Sequence, residues 1–70
     1  MAVSDKWEQI KGKWKQFTGQ IQERWGELTE DDMAEVNGDL KQLEGKIQER
    51  YGIAREDARD EINDWLSNLK

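Results

Sequence analysis

The chain has 70 residues, 34% of them hydrophobic and 39% charged, and its 11 Lys+Arg against 16 Asp+Glu leave a net charge of −5. It contains no cysteine, histidine or proline, which removes disulfide frameworks, thiolate and Ser-His chemistry, and Cys- or His-ligated metal sites. No apolar run approaches the roughly 20 residues of a membrane span, and Met1–Asp5 carries no targeting pattern, so a small soluble cytoplasmic protein is expected.

The first predicted element covers residues 5–25. Trp7, Ile10, Trp14, Phe17 and Ile21 step by three and four, the spacing of one helical face. Asp5 with Glu8 resembles a capping box, and Gly26 after Trp25 reads as a left-handed helix end. The second element, 30–51, opens with Thr29 and Asp32 as another capping box. It continues through Met33, Val36, Leu40, Leu43 and Ile47 in the same steps and closes at Gly52. A third helix is expected over 54–68 on Ala54, Ala58, Ile62, Trp65 or Leu66, and Leu69. No two-residue alternation survives anywhere, so strands are not expected.

The chain also matches itself at an offset of 26, residues 11–35 falling on 37–61. Gly12, Gly19 and Gly26 meet Gly38, Gly45 and Gly52; Gln22-Glu23-Arg24 meets Gln48-Glu49-Arg50; Trp14, Phe17, Ile21 and Trp25 meet Leu40, Leu43, Ile47 and Tyr51. Two copies are too few for a solenoid and suit one domain over 1–70 with related halves, about 10–36 and 36–62. The interior glycines oppose long unbroken helices, because each costs about 1 kcal/mol relative to Ala. Either the helices break near Gly12 and Gly38, giving four or five short ones, or the glycines keep them only conditionally stable.

Three clusters invite functional readings. Lys6, Lys11, Lys13 and Lys15 interleave with Trp7, Trp14 and Phe17, a pattern that can hold single-stranded nucleic acid or an anionic membrane surface. The rings sit at core spacing, however, and residues 23–70 carry seven positive against fourteen negative side chains, so no specific nucleic-acid binding is expected. Glu30-Asp31-Asp32 lacks the spaced ligands of an EF-hand and reads as helix-start charge. Asp57, Asp60, Glu61 and Asp64, with Arg55 and Arg59 beside them, read as a solvated helix face. No catalytic, cofactor-binding or metal-ligating residue emerges.

The segments Gly12-Lys13-Trp14-Lys15-Gln16-Phe17, Arg24-Trp25-Gly26, Leu28-Thr29-Glu30-Asp31-Asp32 and Gly45-Lys46-Ile47-Gln48-Glu49-Arg50-Tyr51-Gly52 together resemble the CsbD-like family of small bacterial proteins, over roughly residues 5–66. The resemblance implies a small all-helical domain of two crosswise-packed hairpins, abundant under osmotic, stationary-phase or general stress, with no catalytic residues.

The expectation is therefore an all-α bundle of three to five short helices. Its core comprises Trp7, Ile10, Trp14, Phe17, Ile21, Val36, Leu40, Leu43, Ile47 and Ile62, and Trp65 with Leu66 form a partner-facing patch. Function is expected to be non-enzymatic, without cofactor or membrane span. Glycine at 6 of 70 with mean hydropathy −1.13 resembles the hydrophilin group of protectants, from which four tryptophans depart. The alternative is a regulatory module working through protein contacts or self-association, less readily through nucleic acid or a membrane surface.

Overall fold

Helix propensity and apolar spacing carry five segments into helix: α1 (Ala2–Gly12), α2 (Trp14–Arg24), α3 (Glu30–Val36), α4 (Leu40–Tyr51) and α5 (Arg55–Ser67). They come from a computed structural model that describes residues 2–69, with side chains from residue 5 onward. Among the described residues there is no strand. The Cα radius of gyration is 10.9 Å, close to the roughly 11 Å of a folded chain this long. Helix α4 packs between α3 and α5, and α1 bridges α2 and α5.

The first two expected helices both break. After Gly12 the chain bends at Lys13 (φ −123°, ψ 39°), where no side chain caps the start of α2. Lys13 N–H is shared between the carbonyls of Gln9 and Ile10, both at 3.1 Å. The second break is sharper. Asn37 (φ 44°) and Gly38 (φ 84°) turn left-handed, and Asp39 then caps α4 by accepting from Lys41 N and Gln42 N. Gly38 is forced here twice over: its φ disfavours any side chain, and a Cβ would stand 3.1 Å from Lys11 Cγ.

The capping signals divide. Thr29 and Asp32 form the reciprocal capping box of α3, and Gly52 ends α4 left-handed at φ 62°. Asp5 does not cap: α1 begins at Ala2, so Asp5 lies within its first turn, where it complements the helix dipole. Gly26 has no positive φ. Trp25 leaves the helix at φ −119°, ψ 84°, and its ring goes into the core, which takes the chain away from a left-handed turn.

The core gathers Trp7, Ile10, Ile21, Val36, Leu43, Ile47 and Ile62 with Trp25, Leu28, Met33, Ala58, Trp65 and Leu66. Trp14, Phe17 and Leu40, expected inside, are only half-buried against it. The correction with most consequence concerns Trp65 and Leu66. Expected to face a partner, they are 8% and 1% exposed. Trp65 lies edge-on to Trp25 at 5.7 Å and to Phe17 at 6.5 Å between ring centroids, and that aromatic contact fastens the end of α5 to α2.

Candidate interaction surface

The two helix breaks meet in space, and two indoles hold them together. Trp7 at the middle of α1 donates from Nε1 to Gly38 O (2.8 Å), and Trp14 at the start of α2 donates to Met33 O (3.1 Å). The rings lie edge-to-face, 6.0 Å apart at 62°. Both polar handles of this aromatic pair are thus spent inside the protein, on the carbonyls of α3 and of the turn that follows it.

Shallow clefts flank this junction on either side of Asn37. One, of about 490 Å³, runs along Trp7, Lys11, Gly38 and Leu40. The other, of about 550 Å³, runs along Trp14, Lys15, Met33 and Ala34. Lys11 and Lys15 are exposed at their rims, and Lys13 is exposed between them; none makes an ion pair among the described residues. The rims carry both signs, Glu8 and Asp39 beside Lys11 in the first cleft and Glu30 beside Lys15 in the second, so the arrangement offers a small apolar floor with a mixed-charge rim. Base stacking is poorly served, because Trp7 is 7% exposed and Phe17 and Trp14 are half-covered by the core.

Away from this surface the charged residues are organised by tertiary contacts the spacing did not indicate. Asp32, read as helix-start charge, is 2% exposed. It accepts from Arg50 Nε (3.0 Å) and Nη2 (3.1 Å) and from Thr29 N (3.0 Å), with Lys46 at 3.6 Å. The hydrogen bonds from Arg50 and then Thr29 outweigh the burial that opposes them and hold its pKa at about 2. The same contacts push Arg50 upward, and Glu35, 2.6 Å from Lys46, raises that ammonium.

Arg55 and Arg59 do not serve the carboxylates of their own helix. They reach across to the buried Glu44 of α4, at 3.6 and 3.5 Å. These distances are long for hydrogen bonds, and Glu44 Oε1 accepts none from the described residues. Asp57, Asp60 and Asp64 remain exposed, while Glu61 turns inward to accept from Trp25 Nε1 at 2.9 Å. The pairing of Asp32 with Arg50 and of Glu44 with Arg55 and Arg59 was not legible in the sequence, because short-range spacing does not reveal partners 11 to 18 positions away. The Trp25 position had a usable signal: it continues the apolar face one turn beyond Ile21.

Comparison with known protein families matches the CsbD-like family over residues 8–60, about three quarters of the chain. The chain belongs to the CsbD-like family. Its resemblance to curated relatives is local and strong. A UPF0337 protein of Pseudomonas aeruginosa is 75% identical over 24 residues, 34% of this chain and 37% of the relative. A UPF0337 protein of Rhodopirellula baltica is 59% identical over 27 residues, 39% of this chain and 40% of the relative. UPF0337 protein YjbJ of Escherichia coli is 61% identical over 23 residues, 33% of each chain. The chain thus spans two fifths or less of the length of these relatives. No solved structure matches. CsbD-like proteins are a general stress-response family, in keeping with the sequence resemblance. Among the described residues no helix is long and apolar enough to cross a membrane, and no three His, Cys, Asp or Glu side chains group to hold a metal ion.

Proposed function

We propose that this CsbD-like chain is a non-enzymatic cytoplasmic stress protein, one folded domain over residues 1–70, that shields other macromolecules through its hydrated, charged surface. The observation that supports this reading is the partition of the molecule. Its tryptophans are buried or half-buried, and among the described residues the one large apolar side chain that is exposed is Tyr51, at 39%. What faces solvent is a dense mixture of lysine, glutamate, aspartate and glutamine. Such a surface holds water and tolerates crowding without offering a large apolar patch for aggregation. This is a protectant's surface carried on a folded core, unlike a wholly disordered hydrophilin.

The test is protection of an unrelated enzyme through drying or freeze–thaw. Protection should scale with mass of protein added, should not depend on the client chosen, and should exceed that of an equal mass of serum albumin. A stoichiometric complex with one partner from stressed cells, without general protection, would overturn it. The second reading, an interaction module, rests on the mixed-charge clefts beside Trp7 and Trp14. It requires that Lys11→Glu with Lys15→Glu abolish capture of that partner while the fold is retained.

A further inference from the structure

The junction of α3 and α4 contains a conflict between local pattern and observed geometry. Met33, Val36, Leu40, Leu43 and Ile47 keep their three-and-four stepping straight through it, with no slip in phase. One uninterrupted helix over 30–51 would set all five on a single face. Instead the chain turns within Asn37–Asp39, with Asn37 at φ 44° and Gly38 at φ 84°, two left-handed residues that end α3. A short hinge between segments that could run on as one helix is the arrangement that permits exchange of elements between copies.

We propose that two copies of this chain exchange their N-terminal segments about residues 37–39. The hinge straightens, α3 and α4 join into one helix, and α1–α3 of each copy packs on α4 and α5 of the other. The occupant is a second copy because the surfaces parted by opening are complementary to each other, and a second opened copy presents both. Asp32 and Glu35 on α3 face Arg50 and Lys46 on α4 in the closed chain. Along one straight helix the 18 residues from Asp32 to Arg50 span about 27 Å. Its own Arg50 is then out of reach, and the buried carboxylate is satisfied by Arg50 of the partner subunit.

Two experiments test this. Gly38→Ala penalises the closed turn, through its φ of +84° and the Lys11 contact, and favours continuous helix. This variant should elute at twice the chain mass by light scattering, whereas Asn37→Gly, which relaxes the turn, should be monomeric. A monomeric or unfolded Gly38→Ala chain overturns the proposal, since the joined helix should rescue folding as a dimer. Independently, Asp32→Arg and Arg50→Asp each bring like charges together, in the closed chain and in their own dimers. Refolded together from urea they should form a 1:1 dimer, with helical circular dichroism above the mean of the two refolded apart. A mixture whose mass and dichroism equal the sum of the separate chains overturns it.

Discussion

Helices α2 and α4 start from matched sequence and end in different surroundings. They align at the 26-residue offset, carry Ile21 and Ile47 at equivalent fully buried positions, and each contain an open mid-helix glycine. Helix α4 lies between two neighbours and α2 packs chiefly on one. Leu43 is accordingly sealed in the core where its counterpart Phe17 is half-exposed, and Glu44 is buried where Thr18 is partly open. Helix α2 offsets this at its end. Trp25 is driven inward against Trp65 and Glu61, whereas its counterpart Tyr51 stays at the surface, its hydroxyl accepting from Glu27 N. The same apolar frame therefore supplies either a central or a peripheral helix, depending on how many faces the rest of the chain covers.

The largest expected effect separates those two ends. Trp25→Ala should cost about 3–5 kcal/mol, enough to unfold a domain of this size, while Tyr51→Ala should cost about 1 kcal/mol or less, as typical of a surface position. Urea titrations followed by far-UV circular dichroism give both numbers. Equal losses would break the comparison.

Charge pairs at the two ends come next. Arg50 serves the buried Asp32 in a forked contact, and the counterpart Arg24 sits 3.6 Å from the part-exposed Glu61 and lies over the Trp25 ring. Asp32→Asn should lose about 1.5–3 kcal/mol, and Arg24→Gln about 1 kcal/mol or less. The acid limb sharpens this. The Asp32 pKa is lowered from 3.8 to about 2, so its contribution is fully present above the unfolded value and is lost as pH falls through the folded one. The parent should therefore lose stability between about pH 4 and pH 2 by a step that Asp32→Asn lacks. Melts across that window that run parallel for the two proteins would show the pair to be inert.

Helix-terminal glycines provide a smaller contrast. Gly52→Ala forces a side chain to φ 62° and should cost about 1–2 kcal/mol. Gly26→Ala meets open space at an ordinary φ and should stay within about 0.5 kcal/mol of the parent. The smallest effects should be shared by both helices. Gly19→Ala and Gly45→Ala, each facing open space, should stabilise by about 0.5–1 kcal/mol. A loss at either position, read from the same melts, would mean that the glycine serves a contact outside the closed monomer.

What could be read in the amino-acid order were features set by neighbours a few residues apart. Helical character, the Thr29–Asp32 capping box, the left-handed Gly52 and the apolar faces through Ile10, Ile21, Leu43, Ile47 and Ile62 follow from local propensity and period. The family was legible for a related reason, since its glycines, aromatics and charges recur in fixed order along the chain.

Other features depended on which helix faces are covered, and covering is a property of distant segments. Asn37 and Gly38 break a helix whose apolar phase runs on unbroken, and the turn folds α3 back onto α4, joins Met33 and Val36 to the core with Leu43 and Ile47, and lets Trp7 donate to Gly38 O. Trp65 and Leu66, at the end of the chain, become core because Trp25 and Phe17 arrive from the other half to meet them. Asp32 and Glu44 are drawn inside by arginines from elsewhere in the chain. Local order along the chain thus determined helices, caps and family, whereas long-range burial chose where the helices stop, which aromatic rings are hidden and which carboxylates lose their water.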